Sequence, residues 1–169
     1  MSNGYQKQLQ HIAKVKSNTP AATWEAVDRA ISIFYNRSLD LELSSMRMHT
    51  LLLMAKFKGA RASDMLQLCW QQIEIKEKVV LVKPVNYKNA RFASRWKFKV
   101  PRWKDQNDLG AALLRLKMSD TKTSSDGKIF GKFKTANLNY FFKKYETSIG
   151  ELLSMHRIRV LVDKIVTDL

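Results

Sequence analysis

Apolar residues recur at helical spacing from Trp24 to about residue 70 of the chain. Asn18-Thr19-Pro20 is a helix start signal, because a capping side chain is followed by proline in the first turn. From there the spacing predicts a helix to about residue 36, a second over 40–58 and a short third over 62–70. Gly59 is placed to end the second helix, since glycine tolerates the left-handed turn that follows many helices. The inner face of the first helix is predicted at Trp24, Val27, Ala30, Ile31 and Phe34.

The period then changes from helical to alternating. Three strands are predicted, at 73–75, 79–82 and 96–100. Three helices follow, at 109–118 with Asn107 or Asp108 as its cap, at 135–145 and at 152–169. This order predicts an α+β fold, mostly helical, with a small antiparallel sheet inserted after the third helix. We expect one domain over 19–169, preceded by a basic arm or linker over 1–18.

Net charge limits the choice of partner. Thirty Lys and Arg residues against fifteen Asp and Glu give a net charge of +15 and a pI near 10.0. A polyanion, and nucleic acid above all, is therefore the expected partner. The longest apolar run covers only 51–55, so we expect no membrane association and no secretion, and a location in the cytoplasm or the nucleus. Cys69 is the single cysteine and no Cys/His cluster has metal-ligand spacing, so neither a metal nor another cofactor is expected.

Most of the excess charge falls between the second strand and the helix predicted at 109–118. Eight cations and no acidic residue occur over 83–104, with five aromatic residues interleaved. Alternation over 96–99 would turn the aromatic side chains inward and the lysines outward, which suits binding to a phosphate backbone. The competing interpretation is a solvated hairpin edge that lysines protect from aggregation. The side chains predicted to bind DNA are Lys83, Arg91, Arg95, Lys97, Lys99 and Arg102.

Two short motifs outside this hairpin carry the candidate chemistry. Arg61 follows the helix-ending Gly59, where a guanidinium beside free backbone amides can bind a phosphate oxygen; a surface pair with Asp64 is the alternative. His156 and Arg159 are three residues apart and share one face of a helix, so they could hold one phosphate. A partly buried structural pair is the alternative for these two residues.

The order and spacing of these motifs resemble the catalytic domain of tyrosine recombinases, the phage integrase family. In that family a helix ends in a Gly-x-Arg-x-Ser-Glu box and a Leu-x-Leu-x-Trp helix follows, and here Asp64 stands where the glutamate is usual. The first box is matched by Gly59-Ala60-Arg61-Ala62-Ser63-Asp64, followed by Met65-Leu66-Gln67-Leu68-Cys69-Trp70. The family's hairpin closes on a Val-Pro pair, matched by Val100-Pro101, and its His-x-Leu-Arg box is matched by His156-Arg157-Ile158-Arg159. The resemblance covers about 19–160.

The resemblance implies roles for four residues. Arg61, His156 and Arg159 would stabilise charge on the non-bridging oxygens of a phosphodiester. Lys88, at the hairpin tip, would protonate the departing 5′ oxygen as a general acid, with Lys83 as the second choice for that role. The implied activity is site-specific DNA recombination or integration, and the implied partners are double-stranded DNA and other recombinase protomers on the same DNA.

The nucleophile of that family has no counterpart in its usual position. Family members carry an attacking tyrosine after the second box, whereas this sequence has none after Tyr145 and runs only ten residues beyond Arg159. Val160-Leu161-Val162 also replaces the small, hydroxyl-rich residues usual there. We therefore expect a recombinase-like domain that lacks the tyrosine-bearing segment and does not cleave DNA alone. The alternatives are a noncatalytic DNA-binding regulator or decoy and, more distantly, an unrelated RNA-binding protein.

Overall fold

A computed structural model describes residues 19–59, 61–83, 97–120 and 127–168, the last four of them by their backbone alone. The predicted α+β class is confirmed: the described helices are accompanied by a small antiparallel sheet that follows the third helix. The helices are α1 Trp24–Ser38, α2 Leu43–Lys58, α3 Ala62–Met65, α4 Leu109–Ser119, α5 Thr135–Lys144, α6 Glu146–Ile149 and α7 Met155–Asp168. The strands are β1 Ile73–Ile75, β2 Val79–Val82 and β3 Phe98–Pro101, with a 3₁₀ turn Trp70–Gln72 before β1. None of the described helices combines the length and apolar composition needed to cross a bilayer.

Helix α2 forms the centre of the core. Every residue over 48–55 is buried, including polar Thr50, whose hydroxyl donates to the Met46 carbonyl at 2.8 Å. A helix that is apolar on all sides must be covered on all sides. Helices α1, α4 and α7 pack against it and supply that cover. The last helix of the chain is therefore part of the same core as the first.

Side-chain caps fix the starts of two helices. The Thr23 hydroxyl accepts a hydrogen bond from the Ala26 amide at 3.2 Å, so α1 starts at Trp24 and the Asn18-Thr19-Pro20 signal lies before it. Of the two caps predicted for α4, Asp108 is the one used, and it accepts from the Gly110 amide at 3.2 Å. A capping side chain satisfies an amide that the first helical turn leaves without a partner.

Other predicted boundaries are wrong at turns. Helix α2 begins at Leu43 rather than 40, because a turn over 39–42 places Leu41 at a φ of 63°. Helix α3 ends at Met65, and the buried side chains of Leu66 and Leu68 come from a turn rather than from a continuing helix. The last helix begins at Met155 rather than 152, since left-handed Gly150 ends α6 and an irregular stretch follows.

The sheet presents one valine-rich face to the helices. Its order is β1-β2-β3, and both pairs are antiparallel, with Val80 opposite Val100 and Val82 opposite Phe98. Val80, Val82 and Val100 are buried, and β2 contacts α4. Along β3 the exposed Lys99 lies between partly buried Phe98 and buried Val100, as period-two alternation requires. The predicted contribution of residue 96 to this strand lies outside the described residues.

Gly59 ends α2 and packs against the final helix, α7. It ends α2 in the left-handed conformation at a φ of 66°, and its amide donates to the Ala55 carbonyl at 2.9 Å. A Cβ built on Gly59 would lie 2.9 Å from Cγ1 of Val162, closer than real side chains come. Glycine is thus required at this position both by its backbone and by the close approach of α7.

Replacing Gly59 with alanine is expected to lower the free energy of unfolding by about 2 kcal/mol, because an L-residue in the left-handed region costs roughly 1–2 kcal/mol before any steric clash. Urea unfolding measures the loss. Gly131→Ala is the matched control: its φ is 55°, yet the nearest atom to a new Cβ is the tip of the flexible Arg47 side chain, at 3.0 Å. Equal losses in the two variants would contradict a specific role for the contact with Val162.

Candidate functional site

A cleft of about 600 Å³ brings together three of the four side chains implied by the resemblance. Arg61, His156 and Arg159 all line it, although Arg61 is separated from the other two by about a hundred residues of sequence. Lys88, the fourth, lies outside the described residues. No acidic side chain is among the described residues that line this cleft, which we call the arginine cleft; the others are Ala62, Ser63, Thr135, Asn139, Ser154 and Met155.

Arg61 reaches the arginine cleft from the turn between α2 and α3. It is exposed, and among the described ion pairs none joins it to Asp64, the partner that the alternative interpretation required. The expected support from a helix dipole is small, because α3 has only four residues. What Arg61 offers a ligand is therefore its own guanidinium, a planar group with five N–H donors.

His156 and Arg159 lie on the first turns of α7. His156 is exposed and the Arg159 side chain is about a third exposed, at 35%. The Nε atom of Arg159 is 3.8 Å from a carboxylate oxygen of Asp163, one turn along the same helix. Such a long, solvent-exposed pair leaves the guanidinium available to an anion. Between these two residues Ile158 is fully buried, so the apolar side of the helix, and not the His–Arg side, faces the core.

Arg157, within the same motif, has a different task. Its guanidinium donates to the carbonyls of Pro20, Ala21 and Leu152 and pairs with Glu151 at 3.5 Å. Its own carbonyl accepts from the Ala22 amide at 3.1 Å. These bonds tie the segment before α1 to the stretch before α7. The two arginines of the motif are thus distinguished by their partners, one structural and one open to ligands.

Two polar residues of the arginine cleft were not anticipated from the sequence. Thr135 begins α5 and Asn139 follows one turn later, so both lie on the same face of that helix. Leu138 and Phe142 are buried on another side of α5, and their spacing does show in the sequence which side faces solvent. That this solvent-facing side meets Arg61 is a consequence of tertiary packing, which no local pattern of residues contains.

The cations of the hairpin divide into two groups in the described part. Arg102 donates two hydrogen bonds to Asp108, at 2.8 and 3.0 Å, and a third to the Lys76 carbonyl. The Asp108 carboxylate raises the pKa of Arg102, which fits a structural ion pair better than a DNA contact. Lys83 pairs with Glu74 at 2.6 Å, and this bond lowers the pKa of that carboxyl.

Lys97 and Lys99 form the second group and face solvent. Lys97 and Lys99 are exposed beside Phe98, whose ring is partly buried and lies 5.7 Å from the Lys58 ammonium. This arrangement is the one that alternation predicts for this strand, with aromatic side chains inward and lysines outward. Arg91 and Arg95 lie outside the described residues.

A second cleft, of about 670 Å³, has a less suitable charge for a polyanion. Glu77, Asp105 and Asp108 line it together with its cations. His49 at its inner wall is buried, and its Nε2 donates to the Gln106 carbonyl at 2.7 Å. Burial lowers the pKa of His49 to about 4, so the ring is neutral at physiological pH and serves the packing of α2.

None of the tyrosines in the described part of the chain lines the arginine cleft. The Tyr145 ring packs edge-on against Phe34 with centroids 5.3 Å apart, Tyr140 is exposed beside Phe141, and Tyr35 contacts His49. The described residues also contain no group of three His, Cys, Asp or Glu side chains placed to hold a metal ion. Comparison with family models, curated proteins and solved structures gives no match.

Replacing Arg157 with alanine is expected to lower the free energy of unfolding by roughly 1–3 kcal/mol, since the backbone carbonyls it holds would lose a charged donor. Arg159→Ala is the matched control and is expected to change that free energy by no more than about 0.5 kcal/mol, as exposed substitutions do. Urea unfolding of both variants makes the comparison. If Arg159→Ala were the more destabilising change, Arg159 would be a structural residue and its assignment to ligand binding would be wrong.

Proposed function

We propose that this chain binds double-stranded DNA and holds one phosphodiester of the backbone in the arginine cleft, in the manner of a tyrosine-recombinase catalytic domain. The observation that carries the proposal is the meeting of Arg61, His156 and Arg159 in one cleft that no described carboxylate lines. These are the residues that the two motif boxes predict from the sequence. The net charge of +15 gives the same preference for a polyanion.

The proposed roles follow from the donor geometry of each side chain. Arg61 and Arg159 would each offer a fork of N–H groups to the non-bridging oxygens of the diester, which is the bidentate arrangement that guanidiniums favour. His156 would donate a ring N–H to the same phosphate. Ser63 and Thr135, also in the cleft, could donate hydroxyl protons to neighbouring oxygens. Lys97 and Lys99 would bind the backbone farther along as exposed point charges.

A second candidate function is a DNA-binding regulator that shares this cleft and performs no chemistry. The specific observation in its favour is that Tyr35, Tyr140 and Tyr145 all lie away from the arginine cleft. A cleft that binds the ground-state diester supplies affinity whether or not a nucleophile attacks. The two candidates therefore make the same prediction for binding and different predictions for cleavage.

Binding to a duplex of mixed sequence is expected to weaken steeply with salt, with a log–log slope of about −0.9 for each phosphate neutralised. Arg61→Ala and Arg159→Ala should each raise the Kd roughly tenfold, because a charged hydrogen bond contributes about 1.5–3 kcal/mol and 1.4 kcal/mol is a factor of ten. Fluorescence anisotropy at several salt concentrations measures both quantities.

The control for this experiment is Lys76→Ala with Lys78→Ala, which removes two exposed charges from the turn between β1 and β2, outside the arginine cleft. This double variant should change the Kd far less than the arginine variants. An affinity that does not depend on salt would sink the DNA proposal, and tighter binding to RNA than to duplex DNA would favour the RNA-binding alternative.

Incubation with a nicked suicide duplex is expected to give no covalent protein–DNA adduct on a denaturing gel, because no described tyrosine reaches the arginine cleft. The same reaction with Arg61→Ala is the control, since a true adduct requires charge stabilisation at the phosphate. An adduct formed by the unmodified chain would contradict the regulator. Tyr5 and Tyr87, which lie outside the described residues, would then be the candidate nucleophiles. Loss of the adduct in Tyr5→Phe or in Tyr87→Phe would identify the attacking residue.

A further inference from the structure

A third cleft, of about 640 Å³ and basic, adjoins the arginine cleft. The two share Ser63 and Thr135 as wall residues, so they lie side by side on the surface. Three lysines line this third cleft: Lys128, Lys132 and Lys134, here called the lysine track. None of these lysines belongs to the hairpin or to either sequence motif, and neither motif predicts a role for them.

The lysine track is open to a ligand. All three side chains are exposed, and none takes part in the ion pairs found in the described part of the chain. No acidic side chain is among the described residues that line this cleft. Three cations along one cleft give it a positive potential, so the arrangement is complementary to a chain of phosphates.

The segment that carries the lysine track is firmly anchored. Ile129, Phe130 and Phe133 are buried, and the Phe133 ring stacks on Phe141 with centroids 6.2 Å apart. Lys128 forms a β-bridge with Cys69, and the Ile129 amide donates to the Leu68 carbonyl at 2.9 Å. Buried residues alternate with the lysines, so the fold itself turns the three ammonium groups outward. A fixed backbone lowers the entropic cost of positioning these charges for a ligand.

We propose that the lysine track binds the backbone phosphates next to the one held in the arginine cleft, on the same DNA strand. This inference rests on the proposed function and adds to it the direction in which the strand leaves the site, past Ser63 and Thr135 toward Lys128 and Lys132. Lysine suits the task because its compact ammonium binds phosphate as a point charge without bidentate geometry. The track therefore contributes affinity and register, and no base sequence preference.

The test compares two triple variants that lose the same charge. Lys128→Gln/Lys132→Gln/Lys134→Gln removes the lysine track, whereas Lys76→Gln/Lys78→Gln/Lys144→Gln removes three exposed lysines that lie outside both clefts and the hairpin. For duplex DNA, the track variant is expected to show a salt slope shallower by about 0.9 for each lysine, and the control variant a slope close to the parent's. Urea unfolding of both variants verifies that they remain folded.

The outcomes separate this inference from the proposed function. Equal losses of slope and affinity in the two triple variants would overturn the lysine track, because the effect would then come from net charge alone. If Arg61→Ala weakens binding while the track variant matches its control, the arginine cleft stands and the track does not. If the parent chain fails to bind duplex DNA in a salt-dependent way, the proposed function fails and the inference fails with it. If the track variant loses slope and affinity while its control does not, and Arg61→Ala also weakens binding, the result supports both the lysine track and the proposed function.

Discussion

The contact between Gly59 and α7 sets how closely the turn that carries Arg61 approaches the helix that carries His156 and Arg159. Gly59 turns the chain out of α2 at a φ of 66°, and its missing side chain lets Val162 approach to a distance that a Cβ would prohibit. Arg61 lies two residues after this glycine, and Arg159 lies one helical turn before Val162. One close approach therefore brings together cations from distant parts of the sequence, and anything that pushes α7 away also opens the arginine cleft.

The partners of each cation, and not its charge, decide what it does in this protein. Arg157 and Arg102 are used by the fold: one is held by backbone carbonyls, the other by a buried carboxylate. Arg61 and the lysine track take part in none of the ion pairs in the described part of the chain and remain available for an anion. The net charge of +15 therefore overestimates the positive charge available to a ligand, since some of the basic side chains already stabilise the fold.

The sequence allowed the helical core and the motif residues to be predicted, because both are local patterns. Periodic burial at positions such as Val27 and Ile31 follows from spacing alone. That His156 and Arg159 share one face of a helix follows from their separation by three residues. Helix starts were misjudged where a turn, such as the one at Leu41, keeps the apolar pattern without the helix. Asn139 and the lysine track were missed for another reason: they join the site through tertiary packing, and no sequence spacing encodes that packing.

Holding a phosphodiester and cleaving it are physically separable tasks, and the function proposed for the arginine cleft requires only the first. Two guanidiniums and an imidazole N–H stabilise charge on phosphate oxygens, and they accelerate a reaction only to the extent that the charge grows in the transition state. A nucleophile must also be held in line with the bond that breaks. Tyr145 is instead packed against Phe34, where its ring contributes to the core. The same cleft thus serves a recombinase and a regulator equally well, and the difference between them lies in the source of the attacking hydroxyl.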